Sequence, residues 1–212
     1  NLIKKEMEAG RKIQRCFLPE TLIQPDGWDL ASEFVPALEM SGDFYDTFML
    51  QEDFLAITIA DVRGKGVGAA LFMALNRTLL RLFAGNFFSQ KKDPLDAVEE
   101  TNEYMIKYHQ RTDTYCMFVS CVFAVINLNT GECTLINAGH IPGYCIGDNG
   151  IIKTLKPTGP AIGLTSKTIF KRKSFTIKPG EMLFFFTDGV TEAINNTGSF
   201  FSTERLCSII SN

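Results

Sequence analysis

The sequence is short of several features that would fix its class at once. It holds only two histidines, His109 and His140, and its six cysteines (Cys16, Cys116, Cys121, Cys133, Cys145 and Cys207) are scattered with no CxxC pair. Zinc modules and disulfide frameworks both need clustered, regularly spaced ligands, so neither is expected, and the cysteines read as small hydrophobes. Positive charge is not in excess: 21 Lys and Arg against 24 Asp and Glu leave a net charge of −3. That balance removes nucleic acid and anionic membranes from the expected partners. No uninterrupted apolar run approaches the roughly 20 residues of a membrane span, and the N-terminus lacks a signal-peptide pattern, which makes a cytoplasmic location the default expectation. The glycines of GKGVGAAL (64–71) do not have the GxxxxGKS/T spacing that cradles nucleotide phosphates.

What is present fits one globular unit with a short leading segment. In NLIKKEMEAGRKIQRCFLPE (1–20), Leu2, Ile3, Met7, Ile13, Phe17 and Leu18 recur at mostly helical spacing between charges, and Pro19 stops the pattern. The pattern is already under way at Asn1. Two expectations follow: a linker or switch helix that continues from an upstream sensor or regulatory domain and pairs as a homodimer, or a plain packing helix. From Trp28 the period changes to that of strands, in WDLASEFVPA, DFYDTFML and DFLAITIADV. VGAALFMALNRTLLRLFA and DPLDAVEETNEYMIKYHQ read as two helices, the second capped by Asp93 with Leu95, Val98, Met105 and Ile106 on its inner face. Two hairpins with NTG and DNG turns follow, then an alternating strand, IFKRKSFTI, and a buried strand, MLFFFTDG, that ends in an acid. Strands, helices and strands again predict an α+β fold: two packed, mainly antiparallel β-sheets flanked by helices, a four-layer α-β-β-α sandwich.

Three acids fall at the ends of these hydrophobic strands, each beside or close to glycine: Asp43 in SGDFYD, Asp61 in ADVRGKG and Asp188 in TDG. Singly, each is explained by a turn or a cap. Jointly, three carboxylates converging without basic partners would be driven towards protonation unless cations supply the compensating charge. Oxygen-only ligands select a hard ion, Mg²⁺ or Mn²⁺.

The order of SGDFYD, ADVRGKGVGAALFMA, MFVSCVFAVINLNTGECTLINAGHIPGY, PAIGL and FFFTDGVTEAIN resembles the SpoIIE-like branch of the metal-dependent (PPM, type 2C) serine/threonine protein phosphatases, of the stress-response partner-switching type. RKIQRCFLPE (11–20) is similar to the segment that precedes the catalytic domain in those proteins. The resemblance implies a linker or switch helix over 1–20 and a phosphatase domain over 21–212. It implies two divalent cations, Mn²⁺ or Mg²⁺, at one end of the sandwich. It also implies hydrolysis of phosphoserine or phosphothreonine on a small regulatory protein, such as an anti-sigma-factor antagonist, by attack of a metal-bridging water. Carried over by position, Asp43, Asp61 and Asp188 are the metal ligands, joined by the Val62 carbonyl, and Asp46 is a candidate for holding a water on the metal. Arg63, Lys65 and Gly189 are candidates for phosphate contact.

Two departures from the pattern bear on the chemistry. Val62 and Arg63 stand where the animal-type enzymes carry a histidine that protonates the leaving oxygen, which leaves the general acid open between a water on the metal and His140. His140 also fits a role in ordering the turn of NAGH by hydrogen bonds. The family carries a further strand with an acidic pair, whereas this sequence ends in SFFSTERLCSIISN, so the expectation is a domain without its last acidic strand. The competing function is a non-catalytic phosphatase-like module for dimerisation or partner docking.

Overall fold

The computed structural model describes residues 2–36, 40–109 and 117–211, so the reading of Cys116 lies outside the described residues. Its elements run α1 (Leu2–Arg15), β1 (Phe44–Gln51), β2 (Phe54–Val62), α2 (Val67–Ser89), α3 (Asp96–His109), β3 (Val119–Asn127), β4 (Glu132–Ala138), β5 (Gly143–Gly147) and β6 (Gly150–Leu155). They continue with β7 (Lys173–Thr176), β8 (Met182–Phe184), α4 (Asp188–Thr191) and α5 (Thr203–Ile210). A five-stranded sheet in the order β1-β2-β3-β4-β7 and a three-stranded sheet in the order β6-β5-β8 are antiparallel throughout their ladders.

The period of two along the strands sorts the core into layers. On β3, Cys121, Phe123 and Val125 face α2 and α3 and pack with Met73, Leu80, Leu95, Val98 and Met105. Their neighbours Ala124 and Ile126 face the other way, against Leu155 and Leu183 of the smaller sheet. That sheet's far side carries Tyr144 and Ile146, covered by Leu206 of α5. The result is the four-layer α-β-β-α sandwich.

Three sequence expectations need correction. Residues 28–36 form no strand. The Gln24 carboxamide takes both backbone groups of Leu30, donating to its carbonyl at 2.6 Å and accepting from its N–H at 3.0 Å, and the Trp28 indole donates to the Leu128 carbonyl at 3.0 Å. The segment is thus tied by side chains instead of a ladder. MLFFFTDG is also less of a strand than its composition predicts, since β8 covers only Met182–Phe184 at a sheet edge with Met182 exposed. Ile13 is 63% exposed, because α1 turns its Gln14 face inward and the chain enters the core only at Phe17 and Leu18. Although its apolar runs are interrupted, α2 is by length and composition alone long and apolar enough to cross a membrane. Here its buried Ala69, Met73, Leu80 and Ala84 pack on the large sheet, and Arg77 and Arg81 interrupt its apolar character.

The described cysteines are all free thiols. Cys121, Cys133 and Cys145 are buried, and burial pushes the Cys121 and Cys133 thiols up to about 12, as suits inert core residues.

Candidate metal centre

The β1–β2 ladder pairs Phe44 with Ala60 and Tyr45 with Ile59, so one step further Asp43 stands across from Asp61. Asp61 in turn pairs with Ser120 of β3. Tight backbone approach makes this possible. A Cβ on Gly42 would lie 2.7 Å from the Val62 carbonyl oxygen, so only glycine lets the strand lie against that oxygen. After Asp61, Gly64 (φ 101°) and Gly66 (φ 78°) take left-handed conformations that turn the chain sharply into α2.

A circuit of hydrogen bonds joins this corner of the large sheet to the segment that follows β8. The Thr187 hydroxyl donates to Asp43 Oδ2 at 2.9 Å. His140 is buried, with Nε2 3.0 Å from the Phe186 carbonyl and Nδ1 2.9 Å from the Ser120 hydroxyl. Since a carbonyl can only accept, Nε2 carries the proton and Nδ1 accepts from Ser120. Asn137 completes the support, its Oδ1 accepting from the His140 N–H at 2.8 Å and its Nδ2 donating to the Leu155 carbonyl at 3.1 Å. Burial pulls the His140 imidazole below its ordinary range, opposed by the Phe186 carbonyl and by the charges of Asp43 and Asp188.

The electrostatics of the corner centre on Asp61. Its carboxyl is pushed up from 3.8 to about 7, first by burial, then by the charge of Asp43 and a hydrogen bond with it, and then by the charges of Asp188 and Glu192. Among the described residues no ion pair reaches Asp43, Asp61 or Asp188. The cluster is open: among those residues no three His, Cys, Asp or Glu side chains form a ready cage for an ion. Asp188 begins the exposed α4 instead of ending a strand. Asp43 and Asp61 are half-buried and Asp188 is exposed, so the corner gathers like-charged oxygen donors of the kind a hard cation takes.

Other candidates are placed differently. Asp46 points away from this corner; it is 1% exposed and accepts from Arg77 at 2.9 Å and Arg81 at 3.1 Å on α2. Arg63 is exposed, with its guanidinium 5.4 Å from the centre of the Phe118 ring, and Lys65 and Gly189 are exposed in the flanking turns. Sequence reasoning missed Thr187, the first residue of TDG, and Glu192, four residues after Asp188.

The Asp61 shift sets a pH dependence for the metal-free fold. A carboxyl whose folded pKa lies above its unfolded value leaves stability untouched below about 3.8, weakens it progressively between 3.8 and 7, and imposes the whole loss above 7. Metal-free protein is therefore expected to melt at a higher temperature at pH 5.5 than at pH 8, apart from other groups, and Mn²⁺ should raise the melting temperature more at pH 8. Thermal melts with chelator and with Mn²⁺ at both pH values check this. In Asp61→Asn the pH difference should shrink.

The family model described as "Stage II sporulation protein E (SpoIIE)" matches residues 51–212. Protein IcfG of Synechocystis sp. is 42% identical over 95% of this chain, which spans 35% of that protein. The phosphoserine phosphatase RsbU of Bacillus subtilis is 30% identical over 92% of this chain, which spans 56% of its length. Among solved structures, the SiaA-PP2C domain of Pseudomonas aeruginosa superposes with a TM-score of 0.78 at 21% identity, over 99% of this chain and 81% of that one.

Proposed function

Because the chain belongs to the SpoIIE family, we propose that it is the catalytic domain of a metal-dependent phosphatase acting on phosphoserine or phosphothreonine of a small regulatory protein, such as an anti-sigma-factor antagonist. The observation that carries this reading is the facing pair Asp43 and Asp61, with Asp61 pushed up to about 7 by burial and by its acidic neighbours. Such a cluster costs stability unless cations and an anionic substrate give it work to do. A docking module has no need of it.

Asp43, Asp61, Asp188 and the Val62 carbonyl would hold two Mn²⁺ or Mg²⁺ ions. When bound, the ions supply positive charge to a phosphate dianion and acidify the attacking water. The chain's own residues then have distinct tasks. Thr187 fixes the rotamer of Asp43 through Oδ2. His140, with both ring nitrogens engaged, holds the Phe186–Thr187 turn against β3, which favours the ordering role over proton delivery. Lys65 and Arg63, in the turn after Asp61, are cations within the same loop for meeting phosphate oxygens or the acidic surface of a partner. RsbU carries the name phosphoserine phosphatase, which supports the same substrate class here.

Release of phosphate from an aryl phosphate and from a phosphoserine peptide, with Mn²⁺ and with chelator, tests the proposal. Turnover that requires Mn²⁺ supports it. Release at the chelator level under both conditions would favour the docking module.

A further inference from the structure

From Arg11 to Cys16, every side chain of the leading helix and its first following turn is exposed except one, and that one is polar: Gln14, 6% exposed. Its carboxamide meets both backbone groups of Ser41. Nε2 donates to the Ser41 carbonyl at 2.5 Å, and Oε1 accepts from the Ser41 N–H at 3.1 Å. Ser41 passes the constraint on, since its hydroxyl accepts from the Asp43 N–H at 3.1 Å. Between them Gly42 lies against the Val62 carbonyl. The three residues that lead into β1 are therefore clamped from one side by Gln14 and from the other by the strand end that carries Asp61.

We propose that Gln14 is a positioning residue for the metal centre: its paired bonds to Ser41 set the backbone from which Asp43 projects. The proposal rests on the reading of Asp43 and Asp61 as metal ligands. A carboxamide offers a donor and an acceptor in one plane, which matches the N–H and carbonyl of a single residue, and among neutral side chains only asparagine offers the same pair. Asparagine is one methylene shorter. A glutamate of the same shape keeps the acceptor but turns a donor into a second acceptor against the Ser41 carbonyl, so the pairing is lost with little change in volume. Partners that orient metal ligands typically change metal affinity or activity by about 10–100-fold when removed. Gln14 thereby makes the position of α1 a determinant of the geometry at Asp43, two residues beyond its contact.

The competing account is that Gln14 only fastens α1 to the domain. Mn²⁺ affinity by titration calorimetry separates the two, measured on the parent chain and on Gln14→Ala, Gln14→Glu, Ser41→Ala and, as an exposed neighbour, Ile13→Ala. The kcat and KM for an aryl phosphate are measured alongside. The expected result is a loss of Mn²⁺ affinity of roughly tenfold or more in both Gln14 variants and in Ser41→Ala. The loss should fall on kcat, with KM little changed and Ile13→Ala like the parent. Lower melting temperatures with parental Mn²⁺ affinity and kcat per folded molecule would overturn the proposal. Should Gln14→Ala and Gln14→Glu fail to fold, Gln14→Asn, which keeps the donor and acceptor but is one methylene too short to reach Ser41, takes their place with the same two outcomes, and Ser41→Ala tests the second link of the chain, the bond from the Asp43 N–H. A parent chain that binds no Mn²⁺ would instead bring down the metal reading itself.

Discussion

Asp61→Asn is expected to abolish phosphate hydrolysis and Mn²⁺ binding while leaving the metal-free fold at pH 8 no less stable than the parent. The two effects share one cause. At pH 8 the parent holds a half-buried carboxylate beside Asp43, and its partial burial, then the charge of Asp43 and the added field of Asp188 and Glu192, raise its pKa to about 7. Asparagine keeps the shape and removes the charge, so the repulsion disappears from the folded state. The same charge is what would hold the cations, and their stabilisation of the phosphate in the transition state is worth several kcal/mol. At 1.36 kcal/mol per factor of ten, the loss in kcat should reach roughly a thousandfold. Chemical denaturation with chelator, Mn²⁺ titration and phosphate release on the same preparation read all three quantities. A variant that turns over within tenfold of the parent would show that Asp61 is not a ligand, and a variant clearly less stable than the parent would contradict the electrostatic account.

The second large effect is expected at a residue outside the metal centre. Asp46 is 1% exposed and accepts from Arg77, itself 14% exposed, and from Arg81, which is 47% exposed and also covers the Phe48 ring at 4.7 Å. Asp46→Ala leaves the Arg77 charge under the sheet with no partner, and Arg77 Nε already lacks one. Breaking a buried pair in this way costs about 3–5 kcal/mol, because the desolvated charge remains while its compensation is gone. Urea denaturation should show that loss. Arg81→Ala, at the wet end of the same cluster, should cost less than half as much. Since Asp46 lies on the face of β1 opposite Asp43, the folded fraction of Asp46→Ala should bind Mn²⁺ within a few-fold of the parent. A large loss of Mn²⁺ affinity with an intact fold would return Asp46 to the metal site.

The position of Asp46 was legible in the sequence, and its resemblance to a motif residue obscured it. Successive side chains of a strand alternate between faces, so Asp43 and Asp46, three residues apart, could not both point at one ion from a regular strand. Arg77 and Arg81 are four apart on a helix and so share a face, which offered Asp46 a partner. The layers were legible for related reasons: near-alternation in β1 and β2, the continuous apolar run of β3 that is buried on both faces, and the apolar helix formers of α2. Composition misled where it spoke for packing partners it could not see. WDLASEFVPA has strand-forming residues, but a strand exists only where a neighbour offers its edge, and the Gln24 carboxamide occupies the backbone of Leu30 instead. Residues Thr187, Glu192 and Gln14 were beyond reach because each meets Asp43, Asp61 or the neighbouring Ser41 across a long stretch of chain, and no periodicity encodes such a contact.

The most direct measurement is an anomalous-scattering map from crystals of this chain soaked in Mn²⁺ at a concentration that supports turnover. The account predicts anomalous density between the Asp43 and Asp61 carboxylates, beside the Val62 carbonyl, and its loss in crystals of Asp61→Asn. A map with no density at that corner, from crystals whose dissolved protein hydrolyses phosphoserine, would contradict it.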